Sequence, residues 1–575
     1  MNLIFNMVVI MNQPKYFSVL LILVLFLLWL NCESKGPISA REEKLPETIR
    51  HDENITTSQV WDADKTHIIS TAISIDNAVL KIKPGTTIQL ETNGAIAVGN
   101  GGGLIADGSE EPPIIFNSPL AEKGAWKYIY FADKAVDDSC QLINCTIEYG
   151  GGNNAFGSVI YCDNASPTIT ECTISFCAST GITLAGDCRD IKLYNNTISN
   201  CDFVPIQTYA CNVSSIDTNR YVDNKLNQVR IIEGNVTFDD VWHNPSVPYR
   251  MADGLRIKHA ALTIKPAVQM LFEYDESATI SEGGSLHAAG TSRERITFTG
   301  SDVGRWKGII FNETANDANS KLDHCVIENG GQDNDHPANL VLDNTSPEIS
   351  NCLIRQSIGY GVYISGKIQA ARFVNNEITD NAFPPISVSV RGVTGLSPGT
   401  YLNNVTDVIE VRGGPGEKPI TEDGYWDKLG IPYRVHGAVQ IQSSTLILAP
   451  GNQIQMAERS SFEILTEGGL IADGTSEMIE ITGVQSTSGV WDQIYFSSTA
   501  NASNCQLIRC QISYGGGNTN RPGVIYCDNV SPTIRNCNIE YSQTYGIYLN
   551  GNCEIADLQS NFFANNGYGN YFKTP

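Results

Sequence analysis

Apolar and polar residues alternate along most of this chain in short runs, broken every few positions by Gly, Asn, Asp or Pro, and no amphipathic run of ten or more residues intervenes. Alternation of period two is the mark of half-buried strands, and the interruptions mark the turns between them. A longer spacing lies over this one. Cys145, Cys172 and Asn196 follow one another at 27 and 24 residues, and Cys325, Cys352, Asn376 and Cys510, Cys537, Asn561 repeat both intervals. Two positions after each stands an apolar residue (Ile147, Ile174, Ile198 in the first set) and three before stands another (Leu142, Ile169, Leu193). Just ahead of the column sit Asn144, Asn195, Asn351, Asn375 and Asn536, a residue type that tolerates a left-handed bend. Coils of this kind cannot bury an inner face alone, but stacked at about 4.8 Å they make a continuous core and satisfy their backbone. The pattern predicts an all-β chain wound as a parallel β-helix.

A still longer repeat groups the coils. LKIKP at Leu80 returns as LTIKP at Leu262 and LILAP at Leu446, and GAWKYIYF at Gly124 returns as GRWKGIIF at Gly304 and GVWDQIYF at Gly489. Tryptophans fall into the columns Trp61/Trp242/Trp426 and Trp126/Trp306/Trp491, and IEYGGGN at Ile147 recurs as IENGGQD at Ile327 and ISYGGGN at Ile512. Three tandem modules of about 180 residues follow, placed at 59–240, 241–424 and 425–575, the last shortened at its C-terminal end. Its final residues, Asn566 to Phe572, are expected to fold back as a minimal cap or to pair with another chain.

The N-C-x-I coils, the L-x-I-x-P-G entry strands, the G-x-W-x-x-I-x-F strands and the W…PY segments (Trp242 to Tyr249, Trp426 to Tyr433) resemble the right-handed parallel β-helix repeat proteins secreted by bacteria, relatives of the pectin-lyase superfamily. The resemblance spans nearly all of residues 59–575. It implies a right-handed solenoid and leaves three functions open, because such folds serve as polysaccharide lyases or glycoside hydrolases, as adhesins and as inert stalks.

Lys15 precedes an apolar run from Phe17 to Leu30, too short to span a bilayer comfortably and closed by Asn31 and Cys32. Residues 1–32 are therefore expected to be an export signal of the lipoprotein type, with Cys32 lipidated and anchoring the chain to a membrane, followed by a polar tether over 33–58. An ordinary signal peptide or a short anchor is the alternative. Either places the body outside the cytoplasm, and the lipoprotein reading places it on the outer membrane or cell surface of a bacterium. The net charge of -24 offers nothing to a phosphate backbone, so nucleic acid is not an expected partner.

Candidate chemistry is sparse. The ladder cysteines read as small core residues. Cys140, Cys162 and Cys188 match Cys505, Cys527 and Cys553 but become Ser320, Leu342 and Ile368 in the second module, which suggests at most one disulfide in each outer module. The glycine turns lack the helix and lysine of a phosphate cradle; they frame tips, NNAFGS, QDNDHPAN and NTNRPG, that differ while their surroundings agree. Strand alternation then gives outward columns: Tyr130, Tyr161, Thr183; Ile310, Val341, Tyr363; and Tyr495, Tyr526, Tyr548. Tyr130, Tyr161, Tyr363, Tyr495, Tyr526 and Tyr548 are the candidate glycan contacts, the last module's three expected to be exposed neighbours. No catalytic residue is assigned. Arg256-Ile257-Lys258 and the acid pairs at Asp137 and Asp239 faintly resemble pectin-hydrolase signatures but lie in different coils, and read as solvated turns. Asp163-Asn164, Asp343-Asn344 and Asp528-Asn529 read as turn residues too; calcium is the one cofactor they would suit, and no metal site is assigned. The expected function is a non-catalytic surface protein binding glycans or surface partners, with a polysaccharide lyase or hydrolase as the alternative and a structural spacer as a third reading.

Overall fold

Strand pairing in this computed structural model, which describes residues 47–301, 305–369 and 372–574, is parallel throughout the described sheets. The export signal, Cys32 and the tether up to residue 46 lie outside the described residues. Each coil contributes one short strand in turn to each of three sides, and successive coils stack in register. Thr146 lies beside Thr173 and Thr173 beside Thr197, and in the same way Ile147 lies beside Ile174 and Ile174 beside Ile198. Cys145, Cys172 and Asn196 therefore form one column, as do their counterparts in the other modules.

The core of this solenoid is the set of inward positions named by the alternation, with Ile147, Ile174, Ile198, Leu142, Ile169 and Leu193 fully buried. Asparagine closes each column. The Asn196 side chain accepts from the Cys172 amide at 2.9 Å and donates to the Ile169 carbonyl at 2.8 Å; Asn376 and Asn561 do the same for Cys352 with Ile349 and for Cys537 with Ile534. A corner that would strand two backbone groups in the core is thus satisfied by one side chain. Asn144, Asn195, Asn351, Asn375 and Asn536 all take positive φ, between 48° and 58°, turning the chain from one side to the next.

The described cysteines from Cys140 to Cys553 are all free thiols. The bridge that the sequence allowed, at most one in each outer module, is not formed: Cys140 and Cys162 lie on strands of different sheets, and Cys188 turns its thiol onto the carbonyls of Ala185 and Cys162. Burial pushes the Cys162 and Cys527 thiols well above their ordinary value, which leaves them protonated and unreactive.

From Thr48 on, the chain is one compact unit, and hydrogen-bonded strands run across both expected module boundaries: Val229–Glu233 pairs with Tyr249–Met251, and Ile409–Arg412 with Tyr433–His436. Gly569–Lys573 does not fold back as a cap; it pairs in parallel with Tyr545–Asn550 and continues the stack, Tyr571 falling opposite Ile547.

Candidate ligand-binding stations

The recurrent glycine turn is explained by the tryptophan beneath it. Trp126, Trp306 and Trp491 are fully buried, and each indole donates to a carbonyl just ahead of the glycines, Glu148 at 2.7 Å, Glu328 at 2.9 Å and Ser513 at 2.9 Å. A Cβ on Gly150, Gly330 or Gly515 would sit 3.0 Å or less from the indole ring. The next glycine, Gly151, Gly331 or Gly516, takes a φ of 79° to 88°, a conformation that side chains resist. Where the third residue is glycine, its backbone rides against Gly124 or Gly489; the middle module has Gln332 there. The turn is therefore a fixed frame, and the tip it launches is free to differ.

In the first module the strands Ile129–Phe131 and Ser158–Asp163 set Tyr130 directly beside Tyr161 on the outward face. The tip folds back across them: Phe156 stacks on Tyr130 at 4.8 Å and 5°, and lies 4.8 Å from Tyr161. Tyr130 donates to Asp163 at 3.0 Å, and burial together with that bond pushes its hydroxyl up to about 12. The tip itself is pinned by Asn154, whose side chain accepts from the amides of Phe156 and Gly157.

The second module keeps the frame and changes the chemistry. His336 from its tip lies 4.6 Å from Tyr363, and the Arg412 guanidinium sits 3.9 Å over the same ring. Along the outward row, Tyr360 donates to Glu410 at 2.7 Å and Ser387 to the same carboxylate at 3.0 Å, while Glu417, whose pKa burial raises, lies 3.9 Å from Arg412. His436 is 4.0 Å from Glu410. The Arg412 guanidinium thus links the Tyr363 ring to Glu417, while Glu410 lies beside Tyr360, Ser387 and His436.

In the third module Tyr495, Tyr526 and Tyr548 are lateral neighbours, but they are not equally exposed. Tyr495 is buried at 9 % exposure, because Arg521 from the tip stands 3.9 Å over its ring; Tyr526 and Tyr548 are half-buried and stacked at 5.1 Å and 5°. Thr183 and Val341, also assigned outward, are buried too. Alternation gives the direction of a side chain and not what covers it. The stacked rings spend their faces on one another, so the columns offer ring edges and hydroxyls outward.

The remaining sequence candidates are not gathered into a site. Arg256 pairs with Asp253 at 3.0 Å, Asp137 accepts from the Ser166 amide, and Asp239 from the Ala261 amide. The Asp-Asn pairs use their oxygens locally, Asn164 and Asn529 accepting from the amides of Asp187 and Asn552. Among the described residues no cluster of three or more His, Cys, Asp or Glu could hold a metal ion, and no helix is long and apolar enough to cross a membrane. Phe156, His336, Arg521, Arg412 and Glu410 were not singled out by the sequence; the one signal available was the divergence of the tips within an agreeing frame.

A family model described as a right-handed β-helix region matches residues 125–247, the stretch that holds the first station and the junction after it. No curated protein and no solved structure matches the chain. With that match and with the same parallel coils stacked from Thr48 onward, the chain is a right-handed parallel β-helix repeat protein.

Proposed function

We propose that this β-helix is an exported, lipid-anchored cell-surface protein that binds glycans through its outward stations. The observation that carries this reading is that three copies of one rigid frame each launch a different tip, and each tip lays a planar side chain, Phe156, His336 or Arg521, against outward tyrosines. Variable loops on an invariant scaffold are where recognition resides. Ring edges, tyrosine hydroxyls and adjacent carboxylates suit hydroxyl-rich ligands, which need donors and acceptors beside apolar surface.

Retention of the full chain on an array of immobilised polysaccharides tests the reading; no retention on any of them would refute it. A second reading, cleavage of a polysaccharide, draws on Glu410 with His436 beside it and on Glu417 with Arg412 beside it, since carboxylates and an imidazole are groups that acid-base cleavage uses. The same array followed for new reducing ends or for unsaturated products separates the two.

A further inference from the structure

The three stations do not face the same way. In the first module Tyr130 and Tyr161 lie on a 13-stranded sheet. That sheet passes into the second module through Val229–Glu233 and Tyr249–Met251, and there it carries the Cys325 ladder instead of the tip-following strands. The second module's tip-following strands, Ala338–Asp343 and Tyr360–Ser365, belong to a 14-stranded sheet. This sheet in turn passes through Ile409–Arg412 and Tyr433–His436 to carry the Cys510 ladder of the third module. Tyr495, Tyr526 and Tyr548 sit on yet another sheet.

The cause is local. Near the end of each of the first two modules a short 3-10 turn, Ala210–Ser215 or Val393–Gly395, occupies one side of a coil in place of a strand, with a single strand-like bridge after it, Leu193 to Ile216 or Phe373 to Leu396. A coil follows it before the next tryptophan strand begins. The module thereby spans one side more than a whole number of coils, and each successive module starts one side further round the axis.

Resting on the glycan-binding reading above, we infer that one molecule holds three separate neutral glycan chains, one on each side, and not a single chain laid along its length. Neighbouring stations are a third of a turn apart around the axis and roughly 35 Å apart along it, at about 4.8 Å per stacked coil. A chain following one side leaves the next station round a corner. The ligand is neutral because the protein carries a net charge of -24, and Asp163, Asp343, Glu410, Glu463 and Asp528 line or flank the stations and outnumber the Arg412 and Arg521 guanidiniums that lie over two of the rings, so a polyanion would be repelled. Three sites on three sides bridge separate polymer chains into a network, whereas three sites on one side would strengthen the grip on one chain.

The test uses the full chain with neutral hexasaccharides prepared from β-glucan, xylan, mannan and chitin. Calorimetry should give three hexasaccharides per protein, and each of Phe156→Ala, His336→Ala and Arg521→Ala should remove or weaken one of the three at least tenfold while the unfolding midpoint stays unchanged. Mixed with the parent polymer, the protein should raise light scattering to a maximum at an intermediate ratio, as a crosslinker does. One hexasaccharide per protein, weakened alike by all three tip variants and without crosslinking, would overturn the inference and leave glycan binding standing. Absence of binding to any hexasaccharide and to the array removes the binding reading itself, and the inference with it.

Discussion

Asn376 allows the ladder reasoning to be put to a quantitative test. Its side chain is 2 % exposed, accepts from the Cys352 amide and donates to the Ile349 carbonyl, each at 3.0 Å. Asn376→Ala leaves that amide with no partner and that carbonyl with one fewer. A buried donor without a partner costs about 1–3 kcal/mol, and a carbonyl that keeps one of two acceptor sites costs less, so the expected loss is about 2–4 kcal/mol. Its neighbour supplies the contrast. Asn375 is exposed, and its contribution is a φ of 54°, which glycine adopts freely, so Asn375→Gly should change stability by less than about 1 kcal/mol. Solenoids unfold in parts, so the assay is hydrogen exchange read by mass spectrometry on the peptide containing Cys352 and Glu377, alongside the denaturant midpoint. Asn376→Ala should speed exchange there by about 30-fold or more, from the lower end of that range, with the equivalent peptide around Cys172 unchanged. Equal exchange in Asn376→Ala and Asn375→Gly would refute the claim that the buried asparagine closes the backbone.

Other outcomes follow from the same structure. The buried Trp242 indole donates to Asp240 at 3.0 Å and Trp61 to Gln59 at 3.3 Å, but Trp426 has Gly424 at the matching position and its indole nitrogen has no partner; Gly424→Asp combined with Thr394→Ala, which removes the hydroxyl oxygen nearest to the new Cβ, should raise the midpoint by about 1 kcal/mol equivalent. Gly515→Ala places a Cβ 2.4 Å from Val524 and 2.7 Å from Trp491, and should cost about 1–3 kcal/mol, measured as a lowered midpoint. At the N-terminal end His51 and His67 share a hydrogen bond of 2.9 Å and stack on Trp61, and burial lowers both pKa values, that of His51 to about 4. The unfolded chain therefore binds more protons below pH 6.5, so stability is full above that value and falls progressively towards pH 4; His67→Gln should flatten this part of a pH series, and an unchanged slope would refute the assignment. The buried ladder thiols should resist a thiol reagent in the native chain and react after unfolding.

How much of this was legible beforehand differs from residue to residue. The spacing of Cys145, Cys172 and Asn196 gave the stack, because like residues at coil spacing must lie side by side once strands pair in register, and the asparagines before the column gave the corners, because few residue types accept positive φ. Alternation separated inside from outside along each strand, a property of the pleat alone. Tyr495 could be read as outward but not as covered, since Arg521 reaches it from a tip 26 residues further on. The cluster at Glu410 joins four strands, from Tyr360 to His436, whose neighbours in the sheet are set by which coil stacks on which. The facing of the stations was likewise beyond reach: the repeat length shows that modules recur, while the side on which each one starts depends on whether Ala210–Ser215 and Val393–Gly395 take up a side of a coil, which only the stacked structure decides.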